Sequence, residues 1–194
     1  LSLKYIVIFV YLITGYTLTY VDEHQNIMGK KIHLIRHAKS SWKDGSLTDF
    51  DRPLNRRGVK SCELMAPAIL NAGCYFENVY VSPAKRAQLT ITIINKALDN
   101  TTINWCTVPD LYTFDSNDLF RFCLGLHDSI DELVIVGHNP AFTEFCNRVS
   151  NSTLANIPTC GYVALNTSMP FKWRDLMTQR FTLTSFIRPK DLVR

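Results

Sequence analysis

The chain has 194 residues, 46% of them hydrophobic and 20% charged, which suits one globular domain with a sizeable core and leaves no room for a second. The net charge of +4 is small and the lysines and arginines are scattered, so no basic stripe argues for nucleic-acid binding. Six cysteines (Cys62, Cys74, Cys106, Cys123, Cys146 and Cys160) form no CxxC pair and have no histidines at zinc-ligand spacing, so reduced, mostly buried thiols are expected.

Tyr5 to Val21 is apolar and uncharged, as a signal peptide or membrane anchor would be. It is short for a spanning helix, contains Gly15 and several threonines, and shows no small-residue cleavage site. Its β-branched and aromatic content also suits a strand. Met28-Gly29-Lys30-Lys31 stands just before the first convincing core element. Residues 1–27 therefore read as an apolar extension upstream of a natural start at Met28, and residues 28–194 as the domain. No myristoylation signal is complete, because His33 stands where Ser or Thr is needed. A cytoplasmic protein is expected, with membrane contact only if the extension is retained.

From Lys31 onward short apolar runs alternate with helical periodicity, the pattern of a βαβ layered fold. Lys31 to Arg36 reads as a strand. After a polar loop containing Trp42, Asp44, Gly45 and Asp49 to Pro53, Asn55 caps a helix to about Ala72, with Cys62, Met65, Ala66 and Ile69 as its apolar stripe and a kink expected at Pro67. Val79 to Val81 reads as a strand. Ser82-Pro83 then supplies a cap and first-turn proline for a helix carrying Ala87, Ile91, Ile94 and Leu98 on one face. Trp105 to Val108 suits a strand and Asn117 to Leu126 a helix. Leu133 to Val136 is a continuous apolar run, as in a strand covered on both faces. Asn139-Pro140 repeats the cap-plus-proline start for a helix to about Val149. Gly161 to Asn166 and Arg180 to Phe186 close the chain as antiparallel edge strands.

Three strands end alike: Arg36-His37 after HLI, Ser82 to Arg86 after VYV, and Gly137-His138-Asn139 after LVIV. In open α/β sheets the carboxyl ends of the strands border the ligand crevice, and first-turn amides favour negative charge. Arg36 and Arg86 can each grip phosphate in a forked manner that lysine cannot match. Their convergence with two histidines describes a phosphate pocket. His33 lies on the same strand face as His37, but about 13 Å of strand separates them, too far to share one metal ion. The sequence contains no GxSxG elbow, Walker loop, GxGxxG or HExxH, and no clustered carboxylates that would hold magnesium. A mechanism free of metal and cofactor follows by elimination.

The stretches LIRHAKSSW, DFDRPLNRRG, VSPAKRAQLT and LVIVGHNPAF, in that order, resemble the histidine phosphatase superfamily (branch 1), specifically its phosphohistidine phosphatase, SixA-like, members. The resemblance covers about Lys30 to the C-terminus. It implies a phosphoglycerate mutase-like three-layer α/β sandwich, with a mostly parallel central sheet and helices on both faces. It also implies a covalent phosphohistidine intermediate on His37, with Arg36, Arg86, His138 and the Asn139 backbone amide around the phosphoryl oxygens. The common Arg-His-Gly triplet is Arg36-His37-Ala38 here. The general acid, which many relatives supply after the third strand, falls to Asp110 first and Asp115 second. A phosphorylated protein is the expected substrate. A small-molecule phosphatase or phosphomutase is the alternative, and a non-catalytic phosphate-binding module the third reading.

Overall fold

The computed structural model describes residues 29–99 and 101–193 in full, and residues 6–12 and 15–21 as backbone. In the apolar extension, β1 (Ile6–Leu12) and β2 (Gly15–Val21) pair antiparallel, with Ile6 opposite Val21 and Leu12 opposite Gly15. The extension thus takes up its strand propensity. Among the described residues no helix is long and apolar enough to cross a membrane. Met28, the expected start, lies outside the described residues.

The main sheet contains β3 (Lys31–Arg36), β4 (Val79–Val81), β5 (Trp105–Thr107), β6 (Glu132–Gly137), β7 (Tyr162–Asn166) and β8 (Thr182–Ile187), in the spatial order β5-β4-β6-β3-β7-β8. The first four in that order are parallel, while β7 and β8 close one edge antiparallel. The fold is the α/β sandwich that the motifs implied. All six residues of β6 are buried, because helices cover both faces of the sheet. On one face lie α1 (Arg56–Asn71) and α2 (Lys85–Ala97); on the other lie α3 (Ser116–Leu124) and α4 (Ala141–Val149). The chain runs outward from β3 through β4 to β5, then returns to place β6 between β4 and β3. Right-handed crossovers put helices on opposite faces when the direction reverses, and a crevice opens at the strand ends where it does.

Local chemistry explains most boundaries. The Gly58 amide donates to Asn55 Oδ1 at 2.8 Å, and the buried stripe of α1 is Cys62, Met65, Ala66 and Ile69. α1 continues through Pro67. Gly58 is required for closeness, since a Cβ there would stand 2.3 Å from the Lys39 carbonyl oxygen. The two proline-led starts need correction. α2 is capped by Ala84, not Ser82, and α4 by Pro140, not Asn139, with no side-chain cap bond at either. Ser82 Oγ meets His138 Nε2 at 2.7 Å and keeps only a long contact of 3.4 Å from the Ala84 amide, while Asn139 Nδ2 donates to Thr143 Oγ1 and Asn156 Oδ1.

Candidate active site

The expected phosphate-binding side chains meet at the carboxyl ends of β3, β4 and β6. Backbone bonds hold these ends together: the His37 amide donates to Gly137 O at 3.0 Å and the Ser82 amide to Val136 O at 3.0 Å. The rings of His37 and His138 lie 5.1 Å apart between centroids. Arg86, in the first turn of α2, reaches within 3.3 Å of His138 Nδ1 through Nη2. The loop after β3 is tied to the same helix, because the Ala38 amide donates to Thr90 Oγ1 at 3.0 Å and that hydroxyl donates to Arg86 O at 2.7 Å.

The hydrogen bonds fix both imidazole tautomers. His37 Nδ1 lies 2.8 Å from the Ala38 carbonyl, an acceptor only, so Nδ1 carries the proton and Nε2 keeps its lone pair. Burial pulls His37 down to about 4, with the Arg86 and Arg36 guanidiniums adding to the effect against the Ala38 bond. The ring is therefore neutral at physiological pH. His138 accepts from Arg86 at Nδ1, so Nε2 carries its proton and donates to Ser82 Oγ at 2.7 Å. Burial first, and then His37 and Arg86, bring His138 down to about 3.

Arg36 donates through Nη1 to the Ile157 carbonyl at 2.6 Å and to Asn156 Oδ1 at 3.3 Å. Its Nε is buried with no partner among the described residues. Burial and the Arg86 guanidinium lower the Arg36 pKa, the mark of two cations facing a common space that an anion would relieve. Asn139 braces the same loop, donating from Nδ2 to Thr143 Oγ1 at 2.7 Å and Asn156 Oδ1 at 2.9 Å. Tyr112 and Phe114 wall the site, their rings 5.5 and 5.4 Å from that of His138.

The carboxylates are arranged differently from the expectation. Asp110 sits exposed on the short 3-10 turn Pro109–Leu111, lining an outer cleft with Thr113, Asp118 and Arg121. Tyr112 lines the same cleft, and no hydrogen bond or ion pair joins Asp110 to His37, His138 or Arg86 among the described residues. Asp115 caps α3, its Oδ1 accepting from the Asn117 amide at 2.8 Å. The carboxylate at the site is Asp49. Its Oδ2 accepts from Arg86 Nη2 at 2.9 Å and from Tyr112 Oη at 2.9 Å, and its carbonyl accepts from Arg86 Nη1 at 2.5 Å. Its charge is felt by both imidazoles. Although desolvation opposes the shift, Tyr112 and Arg86 together hold Asp49 below its ordinary value. Sequence reasoning passed over Asp49 because it sits in a polar loop far along the chain from its partners. Its only signal was its place in the DFDRPL segment. Tyr112, two residues beyond Asp110, is brought to the site by the 3-10 turn.

The profile of the histidine phosphatase superfamily (branch 1) matches residues 32–115. An uncharacterized chloroplastic protein of Arabidopsis thaliana is 25% identical over 146 residues, 71% of this chain and 66% of the relative, so the chain spans just under two thirds of it. A protein assigned as SixA phosphohistidine phosphatase from Nakamurella multipartitia is similar in structure at 18% identity, with a TM-score of 0.70 over 83% of this chain and 96% of that one. A protein histidine phosphatase SixA complexed with tungstate is similar at 18% identity, with a TM-score of 0.69 over 84% of this chain and 99% of that one. The segment that matches the histidine phosphatase superfamily (branch 1) carries Arg36, His37, Asp49 and Arg86, and the chain shares the fold of these SixA structures over most of its length.

Proposed function

We propose that the chain is a phosphatase that takes a phosphoryl group onto His37 Nε2 and passes it to water. The observation that carries this reading is the Nδ1 bond to Ala38 O, which leaves a neutral imidazole with its lone pair on the nitrogen next to two guanidiniums. Two guanidiniums acting on the same ring would balance the charge of a tetrahedral dianion. The complex of the similar SixA with tungstate, itself a tetrahedral oxyanion, supports the same reading.

In the first step the Nε2 lone pair forms a bond to phosphorus while the bond from phosphorus to the leaving atom breaks, the electron pair departing with that atom. Arg36 and Arg86 neutralise the nonbridging oxygens as their charge spreads. The dianion also favours the charged form of His138, so this ring takes up a proton on Nδ1 and donates to the phosphoryl group. Arg86 lets go of Asp49 as it turns to the phosphoryl oxygens. Without that cation the Asp49 carboxyl is easier to protonate, and it supplies the leaving group's proton. In the second step water attacks the phosphohistidine, the P–N bond returns its pair to Nε2, and Asp49 takes the water proton. None of these groups needs a metal ion.

Phosphohistidine on a protein is the substrate class best matched to this acid. Even after Arg86 turns away, the Tyr112 hydrogen bond still favours the Asp49 carboxylate, so protonated acid is scarce at neutral pH; a nitrogen leaving group from phosphohistidine requires little help, whereas an alkoxide requires much. The test is a panel at equal concentration: a phosphohistidine peptide, aryl phosphate, phosphoserine peptide and phosphoglycerate. The expected order of kcat/KM places phosphohistidine first and the alkyl phosphates last. Preference for phosphoglycerate would favour a small-molecule phosphatase or mutase, and no turnover of any would favour a binding module.

A further inference from the structure

At the opposite end of β3 from Arg36 and His37, three side chains from distant parts of the chain meet between the sheet and α1. They are His33 on β3, Cys74 just after α1, and Glu132 at the start of β6. All three are buried, and their donor atoms lie within 4.8 Å of one another. His33 is only 2% exposed, yet its Nε2 has no hydrogen-bond partner among the described residues. The nearest acceptor, Glu132 Oε1, stands 3.8 Å away, beyond hydrogen-bond reach. A buried nitrogen left unpaired is a destabilising feature that requires a reason.

We infer that His33 Nε2, Cys74 Sγ and a Glu132 carboxylate oxygen form a binding site for one zinc ion. Nitrogen, thiolate and carboxylate are the donors zinc takes, at about 2.0–2.3 Å in tetrahedral geometry. Donors so arranged stand roughly 3.3–3.8 Å apart, as those bond lengths require. The longer value belongs to sulfur, and for a nitrogen–oxygen pair the distance is roughly 3.3–3.6 Å, so the His33–Glu132 separation of 3.8 Å must close by a few tenths of an ångström when the ion binds. The surroundings are suited to the ion. Tyr162 Oη lies 2.8 Å from His33 Nδ1, and the two rings stack at 5.8 Å with an interplanar angle of 9°. The contact allows Nδ1 to donate to the phenol oxygen, and in that tautomer Nε2 is free to ligate, the second-shell arrangement common to zinc-bound histidines. The Tyr75 amide donates to Glu132 Oε1 at 2.9 Å, and the Phe76 amide is directed at both the Cys74 sulfur and the Glu132 carboxyl. Phe76 adopts φ of 59°, a conformation that lets successive amides of the turn face inward.

Burial raises the Cys74 thiol and the Glu132 carboxyl and lowers His33, so the ion has to displace protons from the donors and its binding should strengthen as pH rises. On binding, the Cys74 sulfur and any protonated Glu132 carboxyl give up their protons to solvent, and a thiolate and a carboxylate then neutralise the dication. Lys31 and Glu77 are the charged side chains felt at the cluster. Water or a backbone carbonyl completes the four ligands. Four strand residues, about 13 Å, separate His33 from His37, so this site is distinct from the phosphoryl site and does not depend on the function proposed for it.

The test uses the full chain, free of any purification tag, stripped with chelator and kept reduced. Titration with cobalt should give one equivalent of tight binding with thiolate-to-cobalt charge transfer and tetrahedral d–d bands, displaced by zinc. X-ray absorption on the zinc form should show one sulfur at about 2.3 Å and lighter ligands at about 2.0–2.1 Å. Cys74→Ser should remove the charge-transfer band, and Tyr162→Phe, which spares all three donors, should weaken zinc about 10- to 100-fold. If Cys74→Ser does not fold, the wild-type absorption spectrum and Tyr162→Phe decide the matter. The inference is overturned if wild-type protein shows no thiolate band, if its zinc has no sulfur ligand, if Cys106→Ser rather than Cys74→Ser abolishes the band, or if Tyr162→Phe binds zinc as wild type does.

Discussion

Replacing Asp49 by Asn separates the two tasks its position allows. The side chain keeps its shape but loses the proton it would donate and the charge that meets Arg86 and Tyr112 at 2.9 Å. General acid catalysis contributes about 100- to 10,000-fold. That factor should fall only on substrates whose leaving group needs a proton. The Arg86 contact belongs to a carboxylate about half exposed to solvent, and exposed pairs contribute only about 0.2–1 kcal/mol. Loss of positioning therefore explains a drop of no more than about fivefold, whatever the leaving group. The assay is kcat/KM for wild type and Asp49→Asn across phosphates of graded leaving-group basicity. The variant should show a steeper dependence, with alkyl phosphates slowed about 100-fold or more and the best leaving groups less than about tenfold. A uniform loss across the series would make Asp49 a positioning residue for Arg86, and an unchanged rate would remove it from the reaction.

Two further outcomes follow from the same geometry. Arg86→Ala should slow turnover by about 100- to 1,000-fold, comparable to losing one oxyanion-stabilising donor; a nearly unchanged rate would place Arg86 outside the chemistry. Stability should fall as pH drops through the interval between the ordinary histidine value of 6.5 and about 4, because burial brings His37 down to about 4 and His138 to about 3 in the fold. In that window the unfolded chain binds more protons than the native one, so stability rises with pH, at most ~3 kcal/mol per histidine. Urea midpoints at pH 7, 5.5 and 4.5 measure this, and His37→Asn should flatten the slope. A midpoint constant over that range would contradict the burial argument.

Much of this architecture is legible along the chain because it is local. The apolar run of β6, the Asn55 cap and the stripe of α1 each state their role within a few residues, and Arg36, His37, Arg86 and His138 announce themselves by standing at strand ends. What escapes is non-local. Ser82 reads as a cap, but an imidazole 56 positions away claims its hydroxyl. Asp110 and Tyr112 differ by two residues, and only the 3-10 turn decides which is brought to the site. Asp49 meets Arg86 across 37 positions. His33 looked unremarkable because the cysteine and glutamate beside it come from other elements, and no spacing pattern records that meeting.

The central claim is that His37 Nε2 becomes covalently phosphorylated. Rapid mixing with a labelled phosphodonor, quenching, and analysis of the intact chain measure it directly. An acid-labile, alkali-stable phosphoenzyme that maps to His37 and disappears in His37→Ala is the predicted result. Turnover without any trapped phosphoenzyme, or a label that persists in His37→Ala, would contradict it.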